Sequence, residues 1–409
     1  MVILMSDYSF ATDVLTSRTF FPMTNVIQPY SWGSRHSLKT LFNISNPECA
    51  PQAELWMGTH PNGGSTISLS GQSTLLYDVI SQDPELFLNP TIAQKFGELP
   101  FLFKVLAAEK ALSIQVHPNK AQAEKGFLEE EKLAIPIDDN KRNYKDANHK
   151  PELIYALTDY QAMNGFRPIE EILRFFTSLD IPELRHLVNG LVTEPSKEGL
   201  KQFFSSLLSL HGEQKEMSLV MLMVYASLSE DPTFKLIEEL EKEYPNDLGL
   251  FAPLMLNVVT LSPGQAMYLD AQTPHAYIRG TGLEIMANSD NVLRAGLTSK
   301  HIDVDELVSC TRFDELPTNK LIIEPSEEDG ALHFPIPVSD FKFSILLSSH
   351  MREVVSAGAE ILLPLDNHLV LMHENGETCS VAKGQSVFIP AFAKRYVLIS
   401  SGRVARAYC

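Results

Sequence analysis

Near residue 168 the chain changes its periodicity, and near residue 254 it changes back. Up to about Leu157, short apolar runs such as PFLFKVLAA and LSIQV are separated by Gly, Pro and polar turns, the texture of strands and loops. From Pro168 the apolar residues recur at Ile169, Ile172, Leu173 and Phe176, one face of a helix, with Pro168 and Pro182 at first-turn positions. Helical stripes continue through KEGLKQFFSSLLSL, EMSLVMLMVYASL and DPTFKLIEELEKEY, where Asp231 and Pro232 form a start signal. Strand texture returns from Leu254 and persists to the C-terminus. The expectation is a mainly β protein with a helical insert in it or beside it.

At 409 residues the chain is long for one domain and predicts two or three, each able to bury its own core. A weak internal repeat supports this. PGQAMYLDAQTPH (263–275) can be laid on KGQSVFIPAFAKR (383–395) without a gap, matching Gly264 to Gly384, Gln265 to Gln385, Tyr268 to Phe388 and Leu269 to Ile389. Two chance strand-turn units would look the same over so short a span. As a true repeat it predicts two related β units, of which only the first keeps an imidazole: its loop ends in His275, where the second ends in Arg395.

The net charge of −18 and the absence of any basic run exclude nucleic acid as an expected partner. A small anion can still be bound if a few cations converge locally. The opening MVILM is too short for a signal-peptide core or a membrane span, so a cytoplasmic protein without a membrane partner is expected. Cys49, Cys310, Cys379 and Cys409 are scattered without a CxxC pair, which speaks against a disulfide framework and a thiolate metal site. Any metal must then be held by nitrogen and oxygen.

Four residues fit that requirement. Gln115 and His117 lie two apart in SIQVHPNK, on one face of a strand that Pro118 ends. Glu152 opens the apolar strand of HKPELIYAL, with Pro151 forcing an extended entry. His275 follows Pro274 in the first repeat copy. Singly, each has an ordinary structural explanation, since a histidine at a strand end is more often hydrogen-bonded than a ligand. Together they form a borderline-to-hard donor set suited to zinc with an open position. The Gly turn, strand and Pro-His of the first copy also resemble the signature of cupins, small antiparallel β-barrels that hold a metal with inward His and Glu.

RNYKDANHKPELIYALTDYQAMNGFRP (142–168), IQVHPNKAQAEKGF, AELWMGTHPNGGS and NSDNVLRAGLTSKH closely resemble, in order, the type I phosphomannose isomerases, zinc enzymes of the cupin superfamily. The likeness runs from about Val26 to about Asp303 and more loosely to the end. It implies two cupin-like β-barrel (jelly-roll) units plus an α-helical domain. The divisions expected are an N-terminal extension over 1–25, a catalytic cupin domain over 26–165 and 254–325, a helical insert over 166–253, and a cupin-like domain without metal ligands over 326–409. The resemblance implies one Zn2+ per chain, held by Gln115, His117, Glu152 and His275. It also implies that Ser113, Lys150, Arg294 and Lys300 bind a sugar phosphate. The implied reaction interconverts mannose 6-phosphate and fructose 6-phosphate through a cis-enediol, feeding mannose metabolism or GDP-mannose synthesis. A monomer is expected.

Residue chemistry makes sense of that set. Zinc with one carboxylate ligand keeps a residual charge of about one unit for developing oxyanions, and a neutral Gln115 preserves it. The resemblance does not fix the general base, which must reach the C1 or C2 proton. In GLEIMANSDN, Glu284 points opposite to Leu283 and Ile285, so one strand face is polar at 284 and 288. The expected catalytic residues are His149 for ring opening, Lys150 for an oxygen or the phosphate, Glu284 or Asp290 as proton shuttle, and Arg294 as a phosphate clamp. Trp32 reads as a pocket wall and Trp56 as buried core. A cupin iron oxygenase would have no use for the phosphate cations, and a non-catalytic sugar-binding cupin would have none for Glu284 and Asp290.

Overall fold

The computed structural model describes residues 15–409; the opening MVILM lies outside them. Among the described residues the strands form sheets of nine, ten and four strands, and every pairing between named strands is antiparallel. The chain is mainly β with a helical insert, as its periodicity predicts.

The first β unit is organised by the 13-residue strand His275–Ala287. Its first half pairs with Ile114–Val116 and Tyr160–Phe166, and its second half with Phe101–Ala108 and Glu152–Ala156. The switch falls at Gly280, whose φ is +121° and where a Cβ would stand 2.5 Å from the Asp159 carbonyl oxygen. No other residue allows that approach.

Strand alternation then sorts the side chains into two layers. Phe103, Val105, Leu153, Tyr155, Leu283 and Ile285 face outward and share one core with Phe343, Ile345, Ile361 and Phe388 of the second β unit. Lys104, Glu152 and Glu284, on the alternate face, point into the first unit. A chain that buried only apolar residues would have no reason to place charge there.

The second unit sets Ser349–Val355, Arg395–Ser400, Leu369–Met372 and Thr378–Val381 opposite the nine-stranded sheet, closing a core that includes Val354, Leu362, Leu371, Ile389 and Leu398. The repeat is visible as matching register. Leu269 pairs with Glu152 and Tyr268 with Leu153, as Ile389 pairs with Glu360 and Phe388 with Ile361. Glu284 lies across from Ile154, as Arg406 lies across from Leu362. The second unit therefore places Glu360 and Arg406 at the positions of Glu152 and Glu284.

The expected division at residue 25 does not follow the sheets. Phe21–Thr24 pairs with Ser386–Ile389 on one side and Thr66–Leu69 on the other, so part of the expected extension is a strand of the nine-stranded sheet. Its alternating burial, with Phe21 and Met23 inside, is the reason.

The insert leaves from Tyr160–Phe166 and returns into Leu256–Leu261, and these two strands pair with each other, Leu256 opposite Phe166. Entry and exit are thus adjacent, and the helices add to the barrel without interrupting it. Helices Ile169–Leu179, Arg185–Thr193, Lys197–Leu208, Gly212–Leu228 and Pro232–Glu243 bury Phe176, Phe203, Phe204, Leu222 and Ile237 against Ile114, Val116, Met163 and Phe166 of the barrel. Ser196 and Asp231 cap two of them by accepting from the Gly199 and Thr233 amides. Pro168 stands at the cap and not inside the first turn, whereas Pro182 opens a short 3-10 turn.

Candidate active site

Strand register builds the site around Gln115. It lies directly across from His275 on one neighbour and from Arg294 on the other. His117, two residues on, is buried, and its Nδ1 donates to the Asn291 carbonyl at 2.7 Å. The Nδ1 of His275 donates to the Thr273 carbonyl at 2.8 Å. A carbonyl can only accept, so both rings carry their proton on Nδ1 and present a bare Nε2. Those nitrogens lie 3.3 Å and 3.6 Å from the two Glu152 oxygens, and the His117 Nε2 is buried with no hydrogen-bond partner.

The ligand atoms of His117, Glu152 and His275 lie within 4.8 Å of one another. Two imidazole nitrogens and a carboxylate, with an orphaned buried nitrogen among them, suit zinc. Burial alone would raise the Glu152 carboxyl. Against it Lys150, 3.1 Å away, and then His117 hold the carboxyl well below its usual range. Tyr277 also donates to Glu152, at 3.2 Å.

Beyond Gln115 opens a cleft of about 480 Å³, within the size of small-molecule sites. Ser113, Gln115, Lys150, Asp290, Arg294, Lys300 and Trp32 all line it. A smaller cavity behind it holds Glu152, His275 and Glu284, with Gln115 and Lys150 on both walls. Among the described residues Arg294 and Lys300 make no ion pair. Burial lowers the Arg294 pKa, and Arg294 followed by burial lowers that of Lys300. Two cations held this close without a carboxylate partner leave a local positive charge on the cleft wall.

Asp290 takes a hydrogen bond from Asn62 at 2.9 Å and lies 3.4 Å from the His60 Nε2. Burial would raise it, but His60 and then Lys150 bring it below its ordinary range. Glu284 accepts from Lys104 at 2.7 Å, and Glu54 stands 3.8 Å from the same ammonium. Burial raises the Glu284 carboxyl, Lys104 opposes this, and Glu152 and Glu54 add to the rise. Burial works against the Lys104 charge, yet Glu284 and Glu54 raise its pKa above the ordinary value.

His149 is an expected catalytic residue that lines neither the cleft nor the cavity behind it. Adjacent residues on extended chain point to opposite sides. With Lys150 turned to Glu152, His149 turns outward, its Nε2 2.9 Å from Asp340 of the second β unit. That placement ties His149 to the second β unit and not to the residues lining the cleft. Trp56 is buried as expected but also lines the cleft, its Nε1 donating to Glu54 at 2.5 Å.

Sequence reasoning passed over Lys104, Glu54 and His60. The signal was present for the first two, since each is the lone charge in an apolar run, PFLFKVLAA and AELWMG. His60 sits in a motif already quoted, beside Pro61.

Residues 20–169 match the family described as phosphomannose isomerase type I, catalytic domain, and residues 182–256 match its helical insertion domain. Mannose-6-phosphate isomerase of Escherichia coli is 43% identical over 390 residues, 94% of this chain and 98% of the relative. The mouse protein of that name is 35% identical, again over 94% of this chain and 98% of its own. A crystal structure of mannose 6-phosphate isomerase bound with zinc and yttrium is similar at a TM-score of 0.91 and 42% identity, covering 96% of this chain and 99% of that one.

Proposed function

The chain belongs to the type I phosphomannose isomerase family, and from that premise we propose that it interconverts D-mannose 6-phosphate and D-fructose 6-phosphate with the help of zinc. It is an aldose-ketose isomerase. The observation that carries this is a cleft with a buried nitrogen-and-oxygen donor set behind one wall and, on another, two cations that make no ion pair among the described residues. A sugar phosphate needs both.

We assign His117, Glu152, His275 and Gln115 to the metal. Zinc, when held there, supplies a Lewis acid for the C1 and C2 oxygens. Arg294 and Lys300, with Ser113, take the phosphate, and that remote binding orients the sugar. Lys150 steadies a sugar oxygen. The reaction moves the C2 proton to C1 and the O2 hydroxyl proton to O1. The carbon-bound proton is carried by Asp290, which lines the cleft, or Glu284, which lines the cavity behind it. Turnover of Asp290→Asn and Glu284→Gln with zinc content intact decides between them. His149 is given a positioning role, tying the segment before Glu152 to Asp340.

We further propose that the protein acts in the cytoplasm as a monomer; the four free, scattered cysteines fit a reducing compartment. Among the described residues no helix is long and apolar enough to cross a membrane. The decisive experiment is turnover of mannose 6-phosphate in a coupled assay, before and after EDTA and after zinc is restored. Activity should vanish and return with the metal. A folded, zinc-loaded sample without turnover would sink the assignment.

A further inference from the structure

The end of the helical insert grips the cleft at two points. Asp247 follows the helix Pro232–Glu243, and its carboxylate accepts three backbone amides: Gly249 at 2.6 Å, Leu297 at 2.9 Å and Thr298 at 3.1 Å. The last two belong to the segment that lines the cation end of the cleft, through Leu297, Thr298, Ser299 and Lys300. Within that segment the Lys300 amide donates to the Thr298 hydroxyl at 3.1 Å, and Asp247 holds the Leu297 and Thr298 amides. Leu297 has φ +51°, a left-handed conformation that a residue with a Cβ rarely adopts, and its side chain is 1% exposed in the core shared with the helices.

Beside it the two backbones touch at a pair of glycines. A Cβ on Gly296 would stand 2.6 Å from the Gly249 Cα, and one on Gly249 would stand 2.6 Å from the Leu297 amide nitrogen. No side chain can come between Asp247 and the two amides it holds.

The second grip is on the neighbouring strand, where Ile114 pairs with Gly296. Tyr244 lines the cleft and donates to the Ala111 carbonyl at 2.6 Å, and Glu243 accepts from the Ala111 amide at 3.2 Å. Ala111 is two residues before Ser113. Seven residues of the insert, 243–249, thus bond both the segment before Ser113 and the segment before Lys300, just past the point where their strands pair, Ile114 with Gly296.

We infer that this segment is a clamp that sets the spacing of the phosphate-binding groups, and that Asp247 is its main positioning residue for the sugar phosphate. The inference rests on the proposed phosphate site and says how that site is held. Asp247 touches no substrate. It acts through the Leu297 and Thr298 amides on the placement of Lys300, and so on binding that is used before the proton moves.

The test uses the full-length, zinc-loaded enzyme with Asp247→Asn, Tyr244→Phe and Arg294→Ala. Asn keeps the shape of Asp but turns an NH2 toward one amide donor and removes the charge. Asp247→Asn should raise KM for mannose 6-phosphate by about tenfold, the scale of a lost charge-assisted hydrogen bond, with kcat within about twofold. The inhibition constant for inorganic phosphate should rise by the same factor while bound zinc stays constant. Tyr244→Phe should move both constants the same way to a smaller extent, and it decides the matter if Asp247→Asn does not fold.

A merely structural Asp247 would lower the unfolding temperature and leave KM and phosphate inhibition unmoved, which overturns the clamp. Arg294→Ala separates this from a failure of the underlying site. It should depress kcat/KM by roughly 10²-fold and weaken phosphate inhibition. If it does so while the Asp247 and Tyr244 variants behave as wild type, the clamp alone is wrong. If Arg294→Ala is also silent, the phosphate site is misplaced and the clamp falls with it.

Discussion

Lys104 donates to Glu284 at 2.7 Å and lies 3.8 Å from Glu54, with all three side chains buried. Removing one member of such a set costs more than the set contributes, because it strands the others without water. In the wild type the raised Lys104 pKa keeps the ammonium's stabilisation constant at every pH below the unfolded lysine value near 10.4. In Lys104→Met the sign reverses. Burial already raises Glu284, and with its counter-ion gone the variant loses stability as pH rises above the unfolded glutamate value near 4.3. The gap in unfolding free energy between wild type and Lys104→Met should therefore widen from pH 5 to pH 8, reaching about 3–5 kcal/mol. Urea titrations of the zinc-loaded proteins check this, and a gap that narrows over that range refutes it. His117, Glu152 and His275 were legible because they stand in short motifs marked by Pro, whereas Arg294 and Lys300 were singled out only by the family resemblance. The Glu284–Lys104 pairing was not legible, since it depends on a cross-strand register between residues 180 apart, which no local pattern encodes.

At the level of elements, the two β units put one framework to different uses. Glu360 and Arg406 occupy the register positions of Glu152 and Glu284, and Tyr396 donates to Glu360 at 2.7 Å as Tyr277 does to Glu152. Where the first unit gathers imidazoles around its carboxylate, the second satisfies it internally with the Arg406 guanidinium, whose Nε lies 3.0 Å from Glu360. The repeat showed in the sequence at Gly264 and Gly384, but the retained carboxylate did not, because Glu360 lies outside the matched stretch. Arg406→Met should cost about 3–5 kcal/mol by leaving Glu360 buried and unpaired, while the Glu360→Leu, Arg406→Met double variant recovers most of it. Turnover below the unfolding temperature should be unchanged in both. If the double variant is as unstable as the single, the pair contributes net stability and does not merely satisfy itself.

Over the whole molecule, the periodicity that divides the chain into β, helical and β stretches does not divide it into independent folding units. Phe103, Val105, Tyr155, Leu283 and Ile285 of the first unit are almost wholly buried against Phe343, Ile345, Ile361 and Phe388 of the second. Phe21–Thr24 and Thr66–Leu69, from the N-terminal part, complete the second unit's sheet. At about 1.5–3 kcal/mol for each large apolar side chain, exposing those five alone would cost roughly 7–15 kcal/mol, as much as the whole stability of an ordinary domain. The units should therefore unfold together, although multidomain chains commonly do not. Both tryptophans, Trp32 and Trp56, lie in the first unit. Fluorescence therefore reports that unit, while far-ultraviolet circular dichroism reports all the strands and the helices. In urea, with zinc bound, the two signals should give one coincident transition. A fluorescence change separated from the dichroism change would mean that the shared core is not what couples the halves, and that the barrel holding the metal stands without the second unit.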